Sequence, residues 1–219
     1  MQVAAGRIGA PIKIAPSPIT VGGLRHATAN IALAASFFVT ALPNANRHDP
    51  SLASIIWMVG AAIMGAFSLF RIPPRTVMIT KRSIIASAGM MLLPCLMRPG
   101  HPAAGIFAGA AIVLELVGVV LSQVARIYMG RSFGILPANR GIVSTGPFAW
   151  MRHPIYTGWL ILSLGFALSY PSVWNFFFLA ASLPFMVWRI ELEEALLHAD
   201  PQYLAYQEHV RFRLWPGLA

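Results

Sequence analysis

The sequence predicts an all-α, polytopic integral membrane protein of about six transmembrane helices, with a C-terminal helical hairpin and a cytoplasmic tail helix. Three observations predict it. Of the 219 residues, 57% are hydrophobic and only 11% are charged, against roughly a quarter charged in soluble domains, so the chain has too little charge to clothe a globule in water. The apolar residues gather in runs close to the length of a membrane span, parted by short connections containing Pro and Gly. The cations fall in alternate connections, as the positive-inside rule requires.

Residues 1–25, rich in Gly, Pro and Ala with Arg7, Lys13 and Arg25, read as a loose cytoplasmic arm. Residues 26–129 read as four transmembrane helices. The first run, Ala27–Leu42, is closed by Pro43; the second, Ser51–Phe70, is uninterrupted. Arg71–Arg82 is a polar connection carrying Pro73-Pro74 and four cations. The third run is Ser83–Met97 and the fourth Pro102–Met129, which bears Glu115. Residues 130–219 hold nearly all the polar chemistry. Gly130–His153 is the longest polar connection, and no residue from Pro154 to Trp188 is charged. That stretch is too long for one span and fits two short helices joined at Tyr170-Pro171-Ser172. With the N-terminus in the cytoplasm, fourteen Lys and Arg lie on the inner side and only Arg47 and Arg98 on the outer, which places both termini in the cytoplasm.

The net charge of +9 follows from that topology and from contact with anionic lipid, and no nucleic-acid partner is implied. Cys95 is the single cysteine; it cannot form an internal disulfide and reads as a packing residue. No Cys pair or His cluster suggests a metal site. No Gly-x-Gly-x-x-Gly, P-loop or Ser-His-Asp set is present. The small residues in Ala103–Gly118 permit close helix packing.

The stretch Gly146-Pro147-Phe148-Ala149-Trp150-Met151-Arg152-His153-Pro154-Ile155-Tyr156-Thr157-Gly158-Trp159 puts a turn, a cation, an imidazole and a phenol directly before an apolar run. Pro154 disfavours helical geometry at His153 and suits the first position of a helix. His153 is therefore expected at a helix mouth, where free backbone N–H groups and the positive dipole end favour an anion. The alternative is a membrane-interface loop, with Arg152 and His153 facing headgroups and Trp150, Tyr156 and Trp159 forming an aromatic belt. Further on, Arg189 and Glu193 are four residues apart and share one helix face, with Glu194 about 100° around. Arg189 reads either as a snorkelling anchor or as a cation that orients an anionic substrate. Tyr203 and Tyr206 read as packing and interface anchors. Glu115, an acid in an apolar span, is either a site residue or a protonated acid bonded to a neighbouring helix. Gln123 and Arg126 are placed near the same cavity.

Residues Thr145–Trp159, followed by Arg189, Glu193-Glu194, Tyr203-x-x-Tyr206 and a closing Trp215-Pro216, resemble the isoprenylcysteine carboxyl methyltransferase family, which is related to phospholipid methyltransferases. The resemblance covers residues 130–219. It implies an integral membrane methyltransferase using S-adenosylmethionine, with a small lipophilic acceptor entering from the bilayer. It implies that Arg140, Gly141, Ile142 and Val143 wrap the cofactor, with Phe148 beside them where eukaryotic members carry Tyr. His153, Pro154, Ile155 and Tyr156 would hold the cofactor's amino-acid end and Glu193 would bind it. Arg189 would be the catalytic group at the acceptor carboxylate, with Glu194 in the acceptor subsite. Two features depart from the family pattern: Asp200-Pro201 stands where Phe-Gly is usual, and the connection before Arg140 is short. The His-Pro-x-Tyr core also occurs in sterol reductases, so a nicotinamide-dependent membrane reductase is the alternative enzyme. A transporter or scaffold without a cofactor is the non-enzymatic one.

Overall fold

The computed structural model describes residues 30–31, 34–35, 52–69, 76–130 and 136–215. The arm at 1–25, most of the run Ala27–Leu42 and the cations at 71–75 lie outside them. Among the described residues six α-helices and one two-stranded β-ladder follow in order. Helix α1 is Leu52–Leu69, matching the second apolar run. Strand β1 (Thr76–Val77) pairs antiparallel with β2 (Ala138–Asn139), Thr76 facing Asn139, a short ladder that the all-α expectation did not include. Helix α2 spans Lys81–Leu92, α3 Gly105–Met129, α4 Pro154–Ser169, α5 Val173–Leu197 and α6 Pro201–His209.

Local chemistry sets these limits. Thr80 and Ser83 cap α2 reciprocally, each side chain accepting from the other's backbone N–H, as a capping box does. Pro94 ends the third apolar run as a helix and opens a 3-10 turn, Pro94–Leu96. Cys95 lies exposed on that turn with its thiol 3.1 Å from the Met91 carbonyl, not packed as expected. Ser172 accepts from the Asn175 N–H to start α5, and Asp200 accepts from Gln202 N–H to start α6. The Asp200-Pro201 departure is thus a helix cap followed by proline in the first turn. The hairpin's second helix is not short: α5 runs unbroken through Arg189 to Leu197. Nothing between Trp188 and Leu197 breaks a helix, and the Glu, Leu and Ala there favour one.

The tightest packing joins α3 to α4. Helix α3 buries Ala111, Glu115, Gly118, Ser122 and Ala125, a stripe of small and polar residues at intervals of three and four. Its other face exposes Ile106 at 83%, Val113 and Val120 at 57% and Ile127 at 63%. This reverses the pattern of a water-soluble helix and suits a helix with small groups inward and apolar groups toward lipid. A Cβ on Gly158 of α4 would stand 2.7 Å from the Gly118 carbonyl oxygen and 2.7 Å from the Ser122 nitrogen, so the two backbones nearly touch. Glu115 is fully buried at this contact and accepts from Ser169 Oγ at 2.6 Å, which bonds it to the neighbouring helix.

Helices α3 and α5 are long and apolar enough to cross a membrane. At 25 residues and about 1.5 Å each, either exceeds the roughly 30 Å hydrocarbon core. The chain enters the site end at the C-terminus of α3, returns along α4 and comes back along α5. At the opposite end Asn175 binds both backbone groups of Arg98, and Trp174 donates to the Leu96 carbonyl. Six spans with both ends cytoplasmic predict that reporters fused after Pro43, Met97 and Tyr170 lie opposite one fused at the C-terminus. A cytoplasmic signal at any of the three would contradict that topology.

Candidate active site

Three helix ends and helix α6 converge on one cavity. Its entrance turn, Gly146–Ala149, is a 3-10 turn with Pro at its start. Tyr206 of α6 donates to the Phe148 carbonyl at 2.6 Å, fixing this turn against the tail. Burial pushes the Tyr206 phenol up, so it remains a protonated donor. Phe148 packs with Ala125 and Ile155.

His153 is the N-cap of α4 and Pro154 its first residue, as the sequence suggests. Its backbone is not open to a ligand, however. The His153 N–H donates to the Arg213 carbonyl at 2.8 Å and the Arg152 N–H to the Phe212 carbonyl at 2.9 Å. The tail supplies acceptors to donors that were expected to face outward. The imidazole, 6% exposed, points its Nε2 to Glu194 Oε1 at 3.1 Å and stacks on the Tyr156 ring.

Glu194 is the hub beneath. It is 2% exposed. Arg152 Nε donates to Oε1 at 2.9 Å, and Arg213 Nη2 lies 2.9 Å from Oε2, an ion-pair contact and not a hydrogen bond. A carboxylate so buried is tolerated only with charged partners.

A second relay faces the cavity. Arg189 Nε donates to Tyr156 Oη at 2.6 Å, and Tyr156 Oη donates to Glu193 Oε2 at 2.6 Å. The Arg189 guanidinium also lies 5.6 Å from the centre of the Tyr156 ring. Arg189 and Glu193 share a helix face as expected, but the Tyr156 hydroxyl from α4 connects them. Arg189 is 5% exposed, which a snorkelling anchor would not be.

The cavity encloses about 850 Å³ with its open mouth included. Arg140, Gly141, Ile142 and Val143 form one wall, and Phe148, His153, Ile155, Tyr156, Arg189 and Glu193 form others. Ten of the twelve residues singled out from the sequence thus meet around one space. Pro154 and Glu194 do not line it. Gly141 has φ +101°, a backbone conformation that side chains disfavour, so the turn after Arg140 needs glycine. Asn139 holds that turn, accepting from Gly141 N–H at 2.9 Å and donating to Asp200 at 2.8 Å.

Several lining residues escaped the sequence reading. Arg152, Tyr203 and Tyr206 line the cavity, although the two tyrosines were read as packing anchors. Their burial was signalled by the one-turn spacing of Tyr203 and Tyr206; their partner was not. Met129, Leu136, Ala138 and Leu197 complete the apolar part. Gln123 and Arg126 do not line it: Arg126 is 3% exposed and lies 3.4 Å from Gln123.

The donor set suits a zwitterionic ligand bearing a hydrophobic body. Glu193 offers a carboxylate to a cation, and Arg152, His153 and Arg140 offer donors to an anion. Phe148 offers a ring to the lining, and aromatic faces attract a sulfonium or ammonium. Burial, and then the Glu194 carboxylate beside it, push the Tyr203 phenol up, so it stays protonated in the wall.

Comparison with known proteins converges on the same region. The family described as phospholipid methyltransferase matches residues 103–200. The chain is 32% identical over 111 residues to protein-S-isoprenylcysteine O-methyltransferase A of Arabidopsis thaliana, covering 45% of this chain and 54% of the plant protein. It is 32% identical over 107 residues to protein-S-isoprenylcysteine O-methyltransferase of Xenopus laevis, covering 45% of this chain and 37% of that one. The corresponding protein of Tribolium castaneum is 33% identical over 108 residues, covering 43% of this chain and 37% of its own length. The chain therefore spans about half the length of the plant relative and less of the two animal ones.

Proposed function

We propose that this chain, whose residues 103–200 match the phospholipid methyltransferase family, transfers a methyl group from S-adenosylmethionine to the carboxylate of a lipophilic, isoprenylcysteine-like acceptor. The observation that carries the reading is the Arg189–Tyr156–Glu193 relay in the cavity wall. It sets a cation for an acceptor carboxylate one phenol away from an anion for a cofactor ammonium.

S-adenosylmethionine supplies, when bound, a methyl group on a positively charged sulfur, which an ionised carboxylate oxygen attacks while the S–C electron pair stays on sulfur. The protein's residues do the rest. Glu193 and His153 hold the amino-acid end, and the turn Arg140–Val143 closes over the cofactor. Arg189 pairs with the acceptor carboxylate bidentately, and Tyr156 fixes the guanidinium through Nε. No general base is needed, because the acceptor oxygen is already ionised. The site's contribution is alignment and exclusion of water. The cavity lies at the helix ends, where a polar cofactor meets an acceptor arriving along lipid-facing helices. Membrane lipids surround that entry. A nicotinamide-dependent reductase gains no support from the relay, since hydride transfer has no use for a paired acceptor carboxylate.

His153→Ala and Glu193→Gln should each weaken binding of S-adenosylhomocysteine by about ten- to a hundredfold, the worth of one hydrogen bond to a charged group. Titration calorimetry of the purified variants in detergent measures this. Wild-type affinity in both would contradict the assignment of the cofactor site.

A further inference from the structure

We infer that Glu194 and the C-terminal segment 210–214 form a latch that positions Arg152 and His153 in the cavity wall, so that cofactor affinity is governed by residues that never touch the cofactor. The inference rests on the cofactor site proposed above.

Five consecutive backbone carbonyls of this segment are each taken by the motif at the start of α4. Arg152 Nη1 donates to the Val210 and Arg211 carbonyls, both at 3.1 Å. The backbone N–H groups of Arg152 and His153 take those of Phe212 and Arg213. Thr157 Oγ1 donates to the Leu214 carbonyl at 2.5 Å. The segment has no regular secondary structure, so these bonds fix its course, and the matched family region ends before it, at residue 200.

Glu194 closes the latch from the other side. Its one carboxylate meets Arg152, His153 and Arg213, which belong to the α4 mouth and to the tail. Arg152 and His153 line the cavity; Glu194 and Arg213 do not. The imidazole has its Nε2 committed to Glu194 and its backbone to Arg213. Its orientation toward the cavity is thus set by a residue on α5 and one on the tail. Glu194 is a positioning residue on this account, and not part of the acceptor subsite. Its neighbour Glu193, about 100° around the helix, faces the cavity instead.

The test uses the full chain in detergent with S-adenosylhomocysteine as probe. Arg213 is 40% exposed, so its replacement leaves no core void. Arg213→Ala should weaken binding about three- to tenfold, a discounted figure for a half-exposed pair. Arg213→Lys should restore most of it, and turnover at saturating cofactor should stay near wild type. Thr157→Val, of nearly equal volume, should weaken binding similarly, whereas Thr157→Ser should not. The latch is also read without any cofactor, because Thr157→Val should speed trypsin cleavage after Arg211. Wild-type affinity in both Arg213→Ala and Thr157→Val would overturn the inference, as would unchanged cleavage after Arg211. Failure of the wild-type protein to bind the probe, with cleavage accelerated in Thr157→Val, would overturn the cofactor reading and leave the latch standing.

Discussion

Arg189→Lys is expected to lower methyl transfer by about a hundredfold or more while leaving affinity for S-adenosylhomocysteine within about threefold. The guanidinium is held in the wall by a 2.6 Å bond from Nε to Tyr156 Oη. Its planar fork has the geometry that matches a carboxylate. Lysine carries a single point charge on a flexible stem; it cannot reproduce the two parallel bonds or the bond to Tyr156. The lost interaction belongs to the acceptor, so its effect falls on turnover and not on the cofactor. A loss of this size corresponds to removing one preorganised contact at a reacting group. Parallel assays of methyl transfer and cofactor titration decide it. Full activity in Arg189→Lys would remove Arg189 from the site and make an amine or a phenol the better acceptor.

The largest effect on stability is expected at Gly158. In Gly158→Ala the new Cβ meets backbone atoms of α3 at 2.7 Å. The Ser122 hydroxyl, closer still, can turn away, but the backbone atoms cannot, so α3 and α4 must part. Overpacking of this kind costs about 1–3 kcal/mol, and more when the obstacle is backbone. Glu115 lies at the same interface, and separating the helices would loosen its bond to Ser169. Gly109→Ala is the control, because nothing lies within 4 Å of a Cβ there. Thermal unfolding in detergent should show a clear fall in midpoint for Gly158→Ala and none for Gly109→Ala. Equal midpoints would contradict the close approach of α3 and α4.

Much of this was legible in the sequence because composition and proline are strong local signals. The second and fourth apolar runs became α1 and α3 nearly to the residue, and Pro154 marked the start of α4. Ten of the twelve residues that the family resemblance implied line the cavity; Arg140, His153, Tyr156, Arg189 and Glu193 stand out as polar groups in an apolar chain, whereas Ile142, Val143, Phe148 and Ile155 came from the resemblance alone. What failed depended on long-range partners. Glu194 looks like Glu193 in sequence; only the fold shows that two guanidinium groups and an imidazole from other segments claim it. The outward N–H groups expected at His153 are taken by the tail, an acceptor some sixty residues away that no local pattern announces. The continuity of α5 was missed because the first charge, Arg189, was taken as the end of the hairpin and the start of a separate tail helix, when it marks only a change of surroundings. The β1–β2 ladder is two residues per strand, below any periodicity.

The central claim is that this cavity binds S-adenosylmethionine. Titration calorimetry of the wild-type protein in detergent with S-adenosylmethionine, S-adenosylhomocysteine and NADPH tests it most directly. Saturable binding of the first two at one site per chain, with no heat from NADPH, is the predicted result. Binding of NADPH with no response to either sulfur compound would contradict the account.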